Sequence, residues 1–306
     1  FARAGSVRFG WGEAEARVGS SKPMIVPDRK DDTLLLDVAA ARGDGGAFHL
    51  WWLGQSGFLL KWREQTVLFD PYLSDSLTKK YAGTDKEHIR MTERCIAPER
   101  LGFVNIVTSS HAHTDHFDAE TLVPLCGTHT ARLPLVLPTA NVELARERLS
   151  RAPFGLHGVD AGEHVQIGDF EFIGIPAAHD TIERDAAGHC RFLGFIVRFG
   201  PWTLYHSGDT RWHDELPHLL SGYRPHVALL PINGHDSARR VAGNLDGEEA
   251  AALAKACGAG LVIPHHFEMF TFNTATTDTF LDACARLKQP CRVLRCGERW
   301  TSATGD

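Results

Sequence analysis

Residues 108 to 116, TSSHAHTDH, contain four side chains that can bind a metal ion. These are His111, His113, Asp115 and His116. Imidazole nitrogens and carboxylate oxygens suit divalent ions such as Zn²⁺, Mn²⁺ and Fe²⁺. In an extended segment His111 and His113 point the same way and can share one ion, and a turn at Thr114 would direct the other two side chains towards a second ion. The segment predicts a metal site; the alternative is a polar loop whose histidines face solvent.

Four other segments place an aspartate or a histidine at the end of an apolar run. LFDPY contains Asp70, IPAAHD contains His179, YHSGDT contains Asp209, and VIPHHF contains His265 and His266. Side chains at strand ends can project from the rim of a sheet into one shared cleft. We therefore expect these side chains to join the first cluster. Since adjacent residues of a strand face opposite ways, only one histidine of the last pair can point into the cleft.

Strand-like and helical segments alternate around these motifs from about His49 onwards. The strand-like runs include HLWWLGQSGFLLKW, QTVLFDPYL, VNIVTSS, PLVLPT, HVQIGDFEFIGIPA, FLGFIVRFGPWTLYHSG, HVALLPI, GLVIPHH and CRVLRCGERW. The clearest helix is DGEEAAALAKACG, where Asp246 and Glu249 have the spacing of a capping box and Gly258 suits the helix end. Helices are also expected in DAETLVPLCG and over residues 274–288. Two packed sheets with helices outside predict an α/β (α+β) fold, a four-layer αββα sandwich.

Length and composition limit the class of protein. The chain has 306 residues, 43% of them hydrophobic, which predicts a soluble protein with a sizeable core. Residues 1–47 are interpreted as an N-terminal extension packed on one domain of residues 48–306. No apolar run approaches the roughly 20 residues of a membrane helix, and a net charge of −6 disfavours nucleic acid. Seven scattered cysteines suit a reducing compartment, so we expect a cytoplasmic location.

The HxHxDH cluster and the order of the other candidates resemble the metallo-β-lactamase-fold superfamily. The segments WWLGQSGFLLKW, DPYLSD, YHSGDT, LPING and VIPHHF are similar to the branch that includes L-ascorbate-6-phosphate lactonase and related predicted metal-dependent hydrolases. This resemblance spans about residues 49–300. It implies an αββα hydrolase domain over residues 48–306 that binds two divalent metal ions, Zn²⁺ or Mn²⁺, with Fe²⁺ as a further option.

The resemblance also implies a role for each candidate. The ligands of one metal would be His111, His113 and His179; those of the other would be Asp115, His116 and His266. Asp209 would bridge the two metals. Asp70 would orient a ligand. The resemblance also favours His266 over His265, because related proteins have an apolar residue at the first position after the proline.

A two-metal site of this kind implies hydrolysis, with a hydroxide shared by the metals as the nucleophile. Asp209 or Asp115 could then pass a proton to the leaving group. The leading expectation is a lactone or ester hydrolase acting on a small, anionic, sugar-acid-like metabolite. The alternative is a phosphodiesterase acting on a nucleotide or a phospholipid, because the same centre serves both reactions. A non-catalytic metal-binding protein is the alternative of a different class.

Four further polar residues are candidates for the pocket. His206 either takes part in catalysis from the pocket wall or is a core histidine bonded to a carbonyl. Asn233 and His235, in PINGHD, either contact substrate or form an Asn-Gly turn. Arg211 could hold an anionic group of the substrate. A homo-oligomer is compatible with the sequence, since related hydrolases often associate.

Overall fold

The structure is a computed structural model that describes residues 23–42, 46–150 and 152–303. Its strands are β1 (Phe48–Gly54), β2 (Gly57–Trp62), β3 (Gln65–Phe69), β4 (Ile106–Thr108), β5 (Leu133–Pro138), β6 (Phe154–Val159), β7 (His164–Ile167), β8 (Phe170–Pro176), β9 (Leu193–Phe199), β10 (Trp202–His206), β11 (Val227–Pro231), β12 (Leu261–His265) and β13 (Arg299–Thr301). Its α-helices are α1 (Asp31–Ala40), α2 (Ser76–Lys80), α3 (Ala119–Cys126), α4 (Val142–Arg148), α5 (Leu216–Ser221), α6 (Gly247–Ala256) and α7 (Asp278–Leu287).

The strands form two sheets that pack face to face. The first has the order β13-β1-β2-β3-β4-β5-β6, and the second has the order β12-β11-β10-β9-β8-β7. Aromatic rings join the sheets: the centroids of Phe48 and Phe199 are 5.2 Å apart, and those of Trp62 and Phe170 are 6.1 Å apart. On the outer faces α4 contacts β6, and α6 contacts β11, β12 and α7. This is the αββα sandwich expected from the sequence.

The run HLWWLGQSGFLLKW forms a hairpin of β1 and β2, although the sequence suggested one continuous strand. The chain reverses at Gln55 and Ser56, between Gly54 and Gly57. Gln55 has a left-handed φ of 49°, which is uncommon for a residue with a side chain. The long runs around β7 and β8 and around β9 and β10 fold back in the same way. Local alternation cannot reveal such reversals, because it is the same before and after the turn.

The helix expected in DGEEAAALAKACG is confirmed as α6. Asp246 accepts a hydrogen bond from Glu249 N at 2.9 Å, and the Glu249 side chain accepts one from Asp246 N at 3.1 Å. Gly258 follows the helix with a φ of 68°. The other two expected helices are found as α3 and α7, whereas α1, α2, α4 and α5 of the described residues were not predicted from the sequence.

Residues 1–22 and 43–45 of the expected N-terminal extension lie outside the described residues. Residues 23–42 contact the rest of the chain: Ile25 N donates to Met91 O at 2.7 Å, and Leu34 of α1 is fully buried. The division of the chain at residue 48 stays a prediction. No helix within the described ranges has the length and apolar character needed to cross a membrane.

Candidate metal centre

The metal-capable side chains lie where strands of the two sheets end. Asp70 follows β3 directly, and His111 lies three residues after β4. In the other sheet Asp209 lies three residues after β10, and His266 follows β12. Strands β3 and β4 are parallel, as are β10, β11 and β12, so their carboxyl ends share an edge. The fold thereby brings residues almost 200 positions apart to one place.

These side chains form two groups. The first is His111, His113 and His179; the second is Asp115, His116, Asp209 and His266. Within each group the potential ligand atoms all lie within 4.8 Å of one another. This arrangement matches the division into two sets that the resemblance implied, and it brings His266 rather than His265 into the second group.

Asp209 lies between the two groups. Its Oδ2 is 3.5 Å from His179 Nε2 in the first group and 3.5 Å from His266 Nε2 in the second. Its Oδ1 is 3.2 Å from His116 Nε2. The side chain is only 3% exposed. One carboxylate therefore faces ligand atoms of both groups.

The donor set fits divalent cations. His111 Nε2, His116 Nε2 and Asp209 Oδ1 are buried, and they have no hydrogen-bond partner among the described residues. Buried polar atoms are ordinarily paired, because leaving one unpaired costs about 1–3 kcal/mol. The three atoms belong to two adjacent groups of side chains, and a cation in each group would supply the partners that they lack.

Electrostatics distinguish the two groups. Burial lowers the pKa of His111 well below its ordinary value, so its imidazole is neutral, as a metal ligand requires. Burial also lowers the pKa of His116, but the carboxylates of Asp209 and Asp115 outweigh it and hold that pKa well above the ordinary value. The same opposition raises the pKa of His266 to about 9. The second group thus stabilises positive charge.

Asp70 and Ser110 support the second group from behind. Asp70 Oδ2 is 2.7 Å from His116 Nδ1, and Asp70 Oδ1 accepts a hydrogen bond from Ser110 N at 3.0 Å. The Ser110 hydroxyl also donates to Asp70 Oδ2. In the first group, His179 Nδ1 is 2.8 Å from Gly243 O. Such partners fix the orientation of an imidazole ring and leave its other nitrogen available.

Gly208 allows the Asp209 loop to approach the histidine loop. Its φ is 55°, and a Cβ added there would lie 2.4 Å from Ser110 Cβ. Leu193 N also donates to Ser110 O at 3.0 Å, which joins the two sheets at this point. A side chain at residue 208 would therefore separate Asp209 from His116.

His206 and His265 lie beneath the cluster and do not line the cavity. Their rings stack at 5.4 Å, and both side chains are fully buried. His206 Nε2 is 2.9 Å from Ser56 O, and His265 Nδ1 is 3.1 Å from Ser56 Oγ. His206 thus has the environment of a core histidine bonded to a carbonyl, the second of its two interpretations.

None of the three candidate substrate contacts lines the cavity that opens over the two groups. Asn233 is 2% exposed, and its side chain bonds to Asn273 and Asn244 at 3.0 Å each. His235 is exposed and lies 4.0 Å from Asp180 Oδ1. Arg211 is partly exposed, and its backbone N donates to Ala178 O at 2.7 Å. Asn233 therefore has the environment of a structural residue in an Asn-Gly turn, which is the second of its two interpretations.

A cavity of about 380 Å³ opens over the two groups. His113, Asp115, His179, Asp209 and His266 contribute to its wall. The side chains that complete it include Lys80, Tyr81, His88, Arg148 and Asn273. None of these five was identified from the sequence, because helix ends and loops carry no local signal of what they face. Gln55, which contacts the second group, was also missed, although it lies in the quoted segment WWLGQSGF.

Comparisons with known proteins identify the family of the chain. Residues 65–267 match the family described as the beta-lactamase superfamily domain. A UPF0173 metal-dependent hydrolase from Methanoregula boonei is 30% identical over 241 residues, which cover 78% of this chain and 90% of the relative.

Two solved structures share the fold. A metallo hydrolase from Ignicoccus hospitalis has a TM-score of 0.61 at 22% identity, covering 84% of this chain and 99% of its own. An isothiocyanate hydrolase from Delia radicum gut bacteria has a TM-score of 0.65 at 15% identity, covering 82% and 98%. With the family match, the fold and the clustered ligands, the chain belongs to the metallo-β-lactamase-fold superfamily as a metal-dependent hydrolase.

Proposed function

We propose that the protein opens a lactone or another carboxylic ester in a small anionic metabolite, using two divalent cations. The observation that carries this proposal is the position of two adjacent ligand groups on the wall of one cavity that Lys80 and Arg148 also line. The groups supply the hydrolytic centre, and the two cationic side chains supply recognition of an anion.

The first cation would be held by His111, His113 and His179, and the second by Asp115, His116 and His266. Asp209 would contribute to both, which its 3.5 Å distances to a histidine of each group support. When bound, such cations would lower the pKa of a water molecule and polarise the bond to be cleaved.

The carboxylates of the cluster have distinct tasks in this proposal. The Asp115 side chain is 17% exposed and lines the cavity, so it can reach the leaving group and pass it a proton. The Asp209 side chain is only 3% exposed, which suits a ligand better than a proton carrier. Asp70 holds the His116 ring from the buried side.

Lys80 and Arg148 favour an anionic substrate. Their neighbours Lys79 and Arg146 form salt bridges with Glu120 and Glu143, but no described carboxylate forms one with Lys80 or Arg148. Arg148 Nη1 donates to Ala112 O at 2.6 Å, which fixes the guanidinium beside the histidine loop. An arginine held in this way keeps donors for a carboxylate or a phosphate.

The proposal is tested by hydrolysis assays on protein reconstituted with Mn²⁺ or Zn²⁺. A panel of sugar-acid lactones is compared with a chromogenic phosphodiester at matched concentrations, and His113→Ala serves as the control that lacks a ligand of the first group. We expect metal-dependent lactone opening that the variant abolishes. Phosphodiester cleavage without lactone opening would replace this proposal with a phosphodiesterase, and no metal-dependent hydrolysis of either class would overturn it.

A further inference from the structure

Gln55 places its side-chain amide against the second ligand group. The amide nitrogen is 2.8 Å from Asp115 Oδ2 and 2.9 Å from His266 Nε2. The residue is 3% exposed. Its backbone carbonyl accepts hydrogen bonds from Trp52 Nε1 at 2.9 Å and from His266 N at 3.1 Å. The turn thus fixes the amide beside two of the proposed ligands.

The backbone of Gln55 is strained at this position. Its φ of 49° lies in the left-handed region, where a residue with a side chain costs about 1–3 kcal/mol. Asp70 and His266, which also serve the cluster, have φ values of 37° and 64°. Such strain persists only where surrounding contacts hold it, and it concentrates at functional sites.

The orientation of the amide conflicts with metal binding. A neutral imidazole nitrogen has one lone pair, so His266 Nε2 cannot accept the amide hydrogen of Gln55 and bind a cation together. The nitrogen and oxygen of an amide have nearly the same shape, and hydrogen-bond partners decide which faces a site. With a cation in the second group, the carbonyl oxygen is the end that is attracted to it.

The distances within the group fit a fifth ligand. Ligand atoms bonded at about 2.1 Å to one ion are about 3.4 Å apart in a tetrahedron and about 3.0 Å apart at a right angle. The contacts of His116 Nε2 with Asp209 Oδ1 and Asp115 Oδ2 are 3.2 and 3.6 Å. Those of His266 Nε2 with Asp209 Oδ2 and Asp115 Oδ2 are 3.5 and 3.6 Å. The terminal amide atom of Gln55 lies 2.8 Å from Asp115 Oδ2 and 2.9 Å from His266 Nε2. These two distances are close to the spacing of ligands at a right angle.

We propose that Gln55 is a fifth ligand of the second group, binding the cation through Oε1 after its amide turns over. This inference rests on the proposed function, because it requires a cation in that group. An amide oxygen suits Mn²⁺ better than Zn²⁺, which is satisfied by four ligands. Gln55 therefore raises the affinity of the second group for Mn²⁺ more than its affinity for Zn²⁺.

The test is calorimetric titration of the metal-free protein with Mn²⁺ alone and with Zn²⁺ alone. Wild type is compared with Gln55→Leu, Gln55→Glu and Ser56→Ala. Ser56→Ala is the matched control, because Ser56 lies in the same turn but its hydroxyl contacts His265 instead of the cluster. The melting temperature of each metal-free variant checks its folding.

We expect two Mn²⁺ sites in wild type, in Ser56→Ala and in Gln55→Glu, which keeps an oxygen. In Gln55→Leu one of the two Mn²⁺ sites should lose at least about tenfold in affinity and the other should be unchanged, while Zn²⁺ binding should change less. Equal losses for both metals would overturn the inference, since that pattern indicates a residue that only orients the ligands. The inference would also be overturned if Gln55→Leu bound Mn²⁺ at both sites with the affinities of wild type.

The outcomes separate this inference from the proposed function. Fewer than two cations bound by wild type would overturn both, whereas two sites in wild type that Gln55→Leu leaves unchanged would overturn the inference alone. If Gln55→Leu does not fold, a crystal structure of the Mn²⁺-loaded wild type decides. A terminal atom of Gln55 within about 2.4 Å of the ion supports the inference, and one beyond about 3 Å overturns it.

Discussion

Asp70 Oδ2 lies 2.7 Å from His116 Nδ1, and both side chains are fully buried. The bond fixes which nitrogen of His116 is engaged, so Nε2 faces Asp209 at 3.2 Å. Asp70 also has a left-handed φ of 37°, which directs its side chain back under the histidine loop. An aspartate that lies outside both groups thereby sets the direction of a proposed ligand.

Asp70→Asn should weaken the second cation site by about 10–100-fold, because an amide cannot hold His116 as a carboxylate does. The first-site affinity should fall much less, because Asp70 reaches that group only through the Ser110 hydroxyl, which lies 3.0 Å from His111 Nδ1. Calorimetric titration with Mn²⁺ measures both sites in one experiment, so the first site serves as the internal control. Equal affinities in variant and wild type would contradict the role of Asp70.

Replacing each histidine of the pair after Pro264 should have different consequences. His266→Ala should lose the second cation and keep its fold, because His266 belongs to the ligand group. His265→Ala should lose about 2–4 kcal/mol of unfolding free energy, because His265 packs on His206 and contacts Ser56. Metal stoichiometry and urea unfolding distinguish the two variants. The opposite pattern would make His265 the ligand.

Gly208→Ala should destabilise the protein by about 2–4 kcal/mol and weaken cation binding. The added Cβ would lie 2.4 Å from Ser110 Cβ at a φ of 55°. Gly83→Ala is the matched control, because Gly83 also has a positive φ, of 72°, but an added Cβ would meet nothing within 4 Å. It should lose only about 1 kcal/mol in the same urea titration. Similar losses in both variants would argue against close packing at Gly208.

Lys80→Gln and Arg148→Gln should each raise KM for an anionic substrate, about 5–20-fold, with little change in kcat. The reason is that each removes a cation from the cavity wall and leaves the ligand groups intact. For an uncharged ester KM should stay near the wild-type value. Lys79→Gln is the control, because Lys79 pairs with Glu120. A KM that rises equally for charged and uncharged substrates would contradict recognition of an anion.

The sequence predicted the general form of the site because its main signals are local. HxHxDH places four potential ligands on one short loop, and Asp70, His179 and Asp209 each lie just after an apolar run. These positions meet at one rim because β3 and β4 in one sheet, and β10, β11 and β12 in the other, run parallel, so their carboxyl ends share an edge. The capping box of α6 was also readable, because both of its partners lie within four residues.

Only the tertiary structure decided which of these side chains face the cavity and which are packed in the core. Alternation shows that His265 and His266 face opposite ways, but the facing sheet determines which side is core and which is cavity. The sequence left His206 either on the pocket wall or in the core, and in the folded chain its Nε2 lies 2.9 Å from Ser56 O beneath the cluster. Asn233 is likewise bound by two asparagines, Asn244 and Asn273, that no local pattern connects to it.

The sequence by itself determined the fold class, the helices α3, α6 and α7, and the residue types of the candidate metal-binding groups. Each of these follows from short-range periodicity and spacing. The roles proposed for Gln55, Lys80 and Arg148 follow only from the folded chain. Their importance comes from distances to Asp115, His266 and the cavity, which long-range strand pairing and loop packing set. No property of a single glutamine, lysine or arginine in a linear sequence records those distances.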